Sequence, residues 1–322
     1  MAIINVSPAD NLTDLIASNA VSPGDVLLLA DGIYTQSVVI GKNDIRIISE
    51  SGKAVFSGFF ILIDGFILNG VTGTLIHGVE IRNYFRNGVF VNGGSANRIV
   101  SNVMSGMTNG VFITASSQNL VWKNNISTVS GDGILMISGS TANRVIENHV
   151  SDCGFDGIET FLSVDANNVI VDNNVRSCGD NCFEIFGTNC FVYGNKAAEA
   201  AQNAYLVFSG PYTALLENKG LISGRGLYVN ISNIFAACNS MISNGGTGVF
   251  SGNDYGIYQE NLIENNGGSG LILGSTADYN FIFENRIVGN DPANIVNDGT
   301  GNTFLKNQTG PIFPPIDCDH KI

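Results

Sequence analysis

Charge is scarce in this chain and one-sided: only 13% of its 322 residues are charged, with 15 Lys and Arg against 28 Asp and Glu, a formal net charge of −13. That sign excludes nucleic acid and anionic membranes as partners held by a broad surface. It also disfavours a polyanionic ligand unless a cation bridges it. Proline (7), histidine (3) and tryptophan (1) are few. No segment is long enough to cross a membrane, and the opening MAIINVSPADNLTD lacks the basic and apolar stretches of a signal peptide. The six cysteines have no metal-type spacing and read as reduced, buried thiols. Nucleophile-elbow, phosphate-loop, zinc and dinucleotide signatures are all missing. Helical periodicity is confined to residues 8–19, where Leu12, Leu15 and Ile16 follow Asp10 as N-cap. Such a short amphipathic helix suits a cap over exposed strand edges.

What is abundant is glycine, 39 residues, within a short repeated pattern. Apolar runs begin at Gly88, Gly110, Gly133, Gly157, Cys182, Ala204, Gly226, Gly248 and Gly270, 22 to 25 residues apart. Second apolar runs close on Asn102, Asn124, Asn148, Asn173, Asn195, Asn218, Asn239, Asn261, Asn285 and Asn307. A period of this length, without helical spacing inside it, predicts a solenoid of stacked strands. Each coil divides into three strands: GVFIT, GILMI or GLYVN first, NLVWKN or NRVIEN second, and pieces such as ISTVS and HVSDC third.

The spacing therefore predicts one domain over 1–322, with a cap helix at 8–19, irregular first coils at 20–65, regular coils at 66–307 and a tail at 308–322 serving as strap or end cover. A side-chain amide both donates and accepts, so the Asn column reads as a structural ladder at a buried bend. Cys153 and Cys178 take matching places in DCGFDG and SCGDNC, giving a Cys stack with a disulfide between coils left open.

With these residues in view, the stretch from SPGDVLLLADGIY through the Asn column resembles the right-handed parallel β-helix proteins of the pectate-lyase-like superfamily. The resemblance implies an all-β, single-stranded right-handed parallel β-helix. Its members include pectate and alginate lyases, mannuronan epimerases, pectin-degrading hydrolases, inulin fructotransferases, phage tailspikes and catalytically silent surface proteins, so the fold does not choose an activity. FDG at 155–157 is similar to the Asp-containing active-site stretch of the epimerases, but Gly157, Ile158 and Glu159 follow where a His is expected.

Alignment of the first strands gives an outward column: Phe90, Phe112, Leu135, Glu159, Glu184, Leu206, Tyr228, Phe250 and Ile272. Glu159 and Glu184 fall in adjacent coils, roughly 5 Å apart at one strand spacing, where mutual repulsion sets up an acid and a base. Asp132 and Asp156 precede the repeat starts beside them. The candidate catalytic residues are thus Glu159, Glu184, Asp156 and Asp132. Asp152, Asp156 and Asp180 offer oxygen ligands for Ca²⁺. Phe161, Phe186 and Phe208, with Tyr228 and Arg225, are candidates for binding sugar by stacking and charge. The same carboxylates also suit a solvated acidic patch.

Two functions stay open. One is a carbohydrate-active protein acting on a polysaccharide or oligosaccharide as lyase, epimerase or glycoside-cleaving or transferring enzyme, with Ca²⁺ or no cofactor. The other is a non-catalytic structural or glycan-binding surface protein of a spore, phage fibre or envelope, which the short turns favour. The apolar second strands and the outward Phe/Leu column predict side-by-side association, a homotrimer. Both functions point to an extracellular or cell- or spore-surface location.

Overall fold

The computed structural model of the protein describes residues 1–310. The chain falls into two compact units, Met1–Glu159 and Thr160–Ile322. Each is a parallel β-helix built from three sheets, and Leu12–Ala17 is the one α-helix among the described residues. In the first unit the leading sheet stacks Val38–Ile40, Asp64–Asn69, Asn87–Asn92, Asn109–Thr114 and Ile134–Ile137 in that order. The second sheet runs from Ile3–Val6 to Arg144–Ile146, and the third from Gly32–Tyr34 to His149–Cys153. In the second unit the leading sheet stacks Phe183–Ile185, Asn203–Phe208, Arg225–Asn230, Val249–Ser251, Leu271–Leu273 and Ile295–Asn297. Its other two sheets run from Val169–Val171 to Thr303–Leu305 and from Asn174–Cys178 to Arg286–Val288.

Strand alternation decides what faces out. Val89 and Val91 are fully buried while Phe90 between them is half-buried, and Leu227 and Val229 flank Tyr228 in the same way. Phe90, Phe112 and Leu135 are register partners in the first unit, as are Glu184, Leu206, Tyr228, Phe250 and Ile272 in the second. The small residue at the head of each run has a steric cause. A Cβ on Gly110 would stand 2.6 Å from the Gly133 carbonyl oxygen of the next coil, closer than side chains tolerate.

The Asn column is a closed hydrogen-bond ladder. In the second unit the Asn218 Nδ2 donates to the Val192 carbonyl at 2.9 Å and to Asn239 Oδ1 at 3.0 Å. Its Oδ1 accepts the Asn195 backbone N–H and the Asn195 Nδ2, both at 3.0 Å. All four bonding capacities of a fully buried amide are thereby used. The residue before each rung takes a left-handed backbone, as Glu217 (φ 56°) before Asn218 and Lys123 (φ 55°) before Asn124. A non-glycine there costs about 1–2 kcal/mol, and the rung's bonds offset it. A second ladder, Asn97, Asn119 and Asn143, lies at the other end of the second strands in the first unit, with Asn119 Nδ2 on Asn143 Oδ1 at 2.9 Å. The spacing of the run-closing Asn residues did not reveal it.

Several boundaries differ from the sequence expectation. The helix is shorter than 8–19 and its N-cap is Asn11, whose side chain accepts from the Asp14 N–H at 3.2 Å. Asp10 instead accepts from the Ser7 N–H and hydroxyl, tying the preceding turn. Residues 20–65 already stack in register, Val26 on Arg46, Gly32 on Ala54 and Val38 on Phe66, so only their loop lengths are irregular. Most second strands are buried on the inner face and partly exposed on the outer: Val192 is fully buried while its outward neighbour Phe191 is 37% exposed, although Val100 and Ala237 are buried on the outer face as well. Cys153 and Cys178 are both buried, and neither is part of a disulfide. Of the expected tail strap, residues 311–322 lie outside the described residues.

Replacement of Asn218 by Leu keeps the volume but leaves the Asn195 backbone N–H and one hydrogen of Asn195 Nδ2 buried without partners. At about 1–3 kcal/mol per orphaned group, urea unfolding should show a loss of about 3 kcal/mol or more.

Candidate functional site

The position at the head of most leading strands is polar. In the first unit Arg86 pairs with Asp64 at 2.6 Å, and Asn87 Nδ2 donates to Asp64 Oδ1 at 2.7 Å. Asn109 Nδ2 donates to Asn87 Oδ1 at 3.0 Å, Asn109 Oδ1 accepts the Asp132 N–H at 3.0 Å, and Asp132 Oδ1 accepts the Asp156 N–H at 3.1 Å. The ladder thus delivers Asp132 and Asp156 to the same edge. There they meet Glu159, and one oxygen from each of the three carboxylates lies within 4.8 Å of the others. All three are buried, at 8%, 6% and 5% exposure. Glu159 occupies the outward column as expected but is not open to solvent.

The donor set, three carboxylate oxygens, fits a hard cation such as Ca²⁺ better than a thiolate- or imidazole-seeking metal. Asp152 is not part of this group. It stands exposed on a left-handed turn (φ 56°) and accepts from the Ser151 hydroxyl at 3.0 Å.

In the second unit Asp180 and Glu184 bring carboxylate oxygens within 4.8 Å of each other. Burial pushes the Asp180 carboxyl above its ordinary value, and its Oδ1 has no hydrogen-bond partner. Glu184 is held by Asn181, whose Nδ2 donates to Oε2 at 2.6 Å, while Asn181 Oδ1 accepts from Asn203 Nδ2 at 2.7 Å. Leu206, the register partner of Glu184, lies in a groove of about 400 Å³ lined by Phe186, Gln202, Asn203, Phe208, Arg225 and Tyr228. Phe186 and Phe208 are tilted at 5.3 Å between ring centres, and the Arg225 guanidinium lies 5.6 Å from the centre of the Tyr228 ring.

Four of the five residues expected to bind sugar therefore meet in one groove. Phe161, the fifth, is 45% exposed and is not among the groove residues. Gln202 and Asn203 were missed from sequence. The signal was present in Asn203, which continues the polar column before the leading strands, but that column had been read for its acids alone.

Comparison with known proteins bears on the fold. Residues 64–219 match the family model described as a right handed beta helix region. Pectate lyase Pel9A aligns with 86% of this chain and 79% of its own at 17% identity and a TM-score of 0.63. The Azotobacter vinelandii mannuronan C-5 epimerase AlgE4 A-module aligns with 94% of this chain and 92% of its own at 12% identity and a TM-score of 0.60. PfbA, a surface adhesin of Streptococcus pneumoniae, aligns with 92% of this chain and 85% of its own at 10% identity and a TM-score of 0.57. No curated protein matches the sequence.

A carboxyl whose pKa is raised on folding keeps its proton longer in the folded state, so stability falls as pH rises through its unfolded and then its folded value. Asp180→Asn should therefore raise the melting temperature at pH 7, and the gain should vanish on acidification below the ordinary carboxylate range. The register of the three sheets, the match of residues 64–219 and the similarity to solved β-helices together give this chain the fold of a right-handed parallel β-helix.

Proposed function

We propose that this chain is a carbohydrate-active β-helix protein that acts on a polysaccharide through the outward face of the leading sheet. The observation that carries the reading is the groove of the second unit, where Phe186, Phe208, Tyr228 and Arg225 gather on the side of the strand column that holds Glu184. Aromatic faces stack on the C–H faces of sugars, a guanidinium grips carboxylate or hydroxyl oxygens, and a positioned carboxylate moves a proton. Support comes from neighbours of the same fold described as a pectate lyase and a mannuronan epimerase. In both the lyase and the epimerase reaction a proton leaves the carbon beside a carboxyl group, and negative charge grows on that group.

In this reading Glu184, oriented by Asn181, is the acid or base, and Arg225 faces the growing charge. Arg225 suits this task because, among the described residues, it forms no ion pair. The local guanidinium thus supplies what the net charge of −13 denies to the surface as a whole. In the first unit Asp132, Asp156 and Glu159 form a carboxylate group suited to Ca²⁺.

A screen of pectate, alginate and neutral polysaccharides, with and without Ca²⁺, should find one that is cleaved or epimerised. Glu184→Gln should lower turnover on it by about 10²-fold or more with the melting temperature unchanged. Binding without turnover in the wild type would instead place the chain with adhesins. Millimolar CaCl₂ should raise the wild-type melting temperature, and Asp132→Asn should abolish that rise; equal melting curves with and without Ca²⁺ would remove the cation from the proposal. The partly exposed second-sheet residues Phe191, Phe235 and Ile257 fit association of copies, which light scattering would report as a mass above the 34.1 kDa of one chain.

A further inference from the structure

The groove contains one buried polar atom with nothing to bond. Asn203 is 3% exposed, and its Oδ1 has no hydrogen-bond partner. Its orientation follows from its neighbours. Asn181 Nδ2 donates to Glu184 Oε2, which turns Asn181 Oδ1 toward Asn203. Asn203 must then give its own Nδ2 to Asn181. What remains for the groove is an acceptor. A buried acceptor left in this state costs about 1–3 kcal/mol, and a ligand hydroxyl at the groove wall would remove that cost.

The first unit holds the contrasting arrangement. Arg86 lies over Phe90 at 5.8 Å, as Arg225 lies over Tyr228, but the preceding coil offers Arg86 the carboxylate of Asp64 at 2.6 Å. That guanidinium is spent on the protein itself, and the bond to Asp64 raises its pKa. Arg225 stands one place further along its strand than Arg86, which precedes the register partner of Asp64, and its own register partner on the preceding coil is Asn203. A neutral amide stands there, and among the described residues no carboxylate lies within ion-pair distance of Arg225.

We propose that Asn203 is the specificity-determining residue of the groove: its fixed Oδ1 accepts a sugar hydroxyl, and its neutrality keeps Arg225 open for the carboxylate of an acidic sugar unit. This rests on the reading of the groove as a sugar site. An Asp at this position would stand directly beside Arg225 in register and close the groove by pairing with it. A neutral residue without an acceptor would weaken binding but keep the preference for acid.

The test is calorimetric binding of hexamers of mannuronate, guluronate and galacturonate, and of the same hexamers after reduction of their carboxyl groups, to the wild type, Asn203→Asp and Asn203→Leu. The wild type should bind one acidic hexamer at least tenfold more tightly than its reduced form. Asn203→Asp should erase that ratio, whereas Asn203→Leu should weaken both forms about threefold or more and preserve the ratio. Circular dichroism melting of each variant checks the fold, and the Leu variant, which carries no charge to repel Asn181 Oδ1, keeps the test decisive if the Asp variant is unstable. If the wild type binds an acidic hexamer and Asn203→Asp retains the preference, or Asn203→Leu loses it, the role of Asn203 is wrong and the sugar groove stands. If the wild type binds none of the hexamers in either form, the groove is not a sugar site and both readings fall.

Discussion

Everything in this fold depends on satisfying backbone and amide groups at a bend that repeats once per coil. A β-helix turns its chain inward where water is absent, so each bend must supply its own donors and acceptors. The Asn ladder does this with one residue type. Because Asn has two donors and two acceptor sites, each rung bonds to the rung before it, the rung after it and a strand carbonyl. A rung that failed would orphan groups in two coils. This coupling allows positions such as Glu217 and Glu284 to hold a left-handed backbone without glycine.

The same economy of amides shapes the candidate site. Before the leading strands the polar column is a ladder too, but it is broken by acids and by Arg225, and Arg86 flanks it one residue outside. Where it carries Asp64 with Arg86, the charges cancel within the protein. Where it carries Asp132 and Asp156, three carboxyl groups gather with Glu159 under burial. Where it carries Asn181, Asn203 and Arg225, amides fix a carboxylate on one side and leave a guanidinium free on the other. One structural column thus yields an ion pair, an acid cluster and a groove wall by changing single residues.

The fold tolerates this because the outward face of the leading sheet carries little of the core. Val207 and Val229 are fully buried on the inner side of their strands, while Leu206 and Tyr228 on the outer side stay half-buried. Outward positions can therefore change from Phe to Glu to Tyr along the column without touching the packing. That freedom is why proteins described as a lyase, an epimerase and an adhesin share this architecture at 10–17% identity with the present chain.

The sequence by itself determined the coil length, the division of each coil into three strands, the inward and outward alternation, and the outward column that holds Glu184, Leu206 and Tyr228. These are consequences of period, and period is written along the chain. It also placed Phe186, Phe208 and Tyr228 on the outward side of their strands. Only the tertiary structure decided that Asn11 rather than Asp10 caps the helix, because both can accept and backbone geometry chooses between them. Only the structure separated Asp152, exposed on its turn, from Asp132 and Asp156, because burial depends on the coils stacked around a residue. Phe161 left the sugar-binding group for the same reason. Asn203 entered the site through the direction of its bond to Asn181, and the direction of an amide is set by its neighbours in space, which no spacing along the chain records.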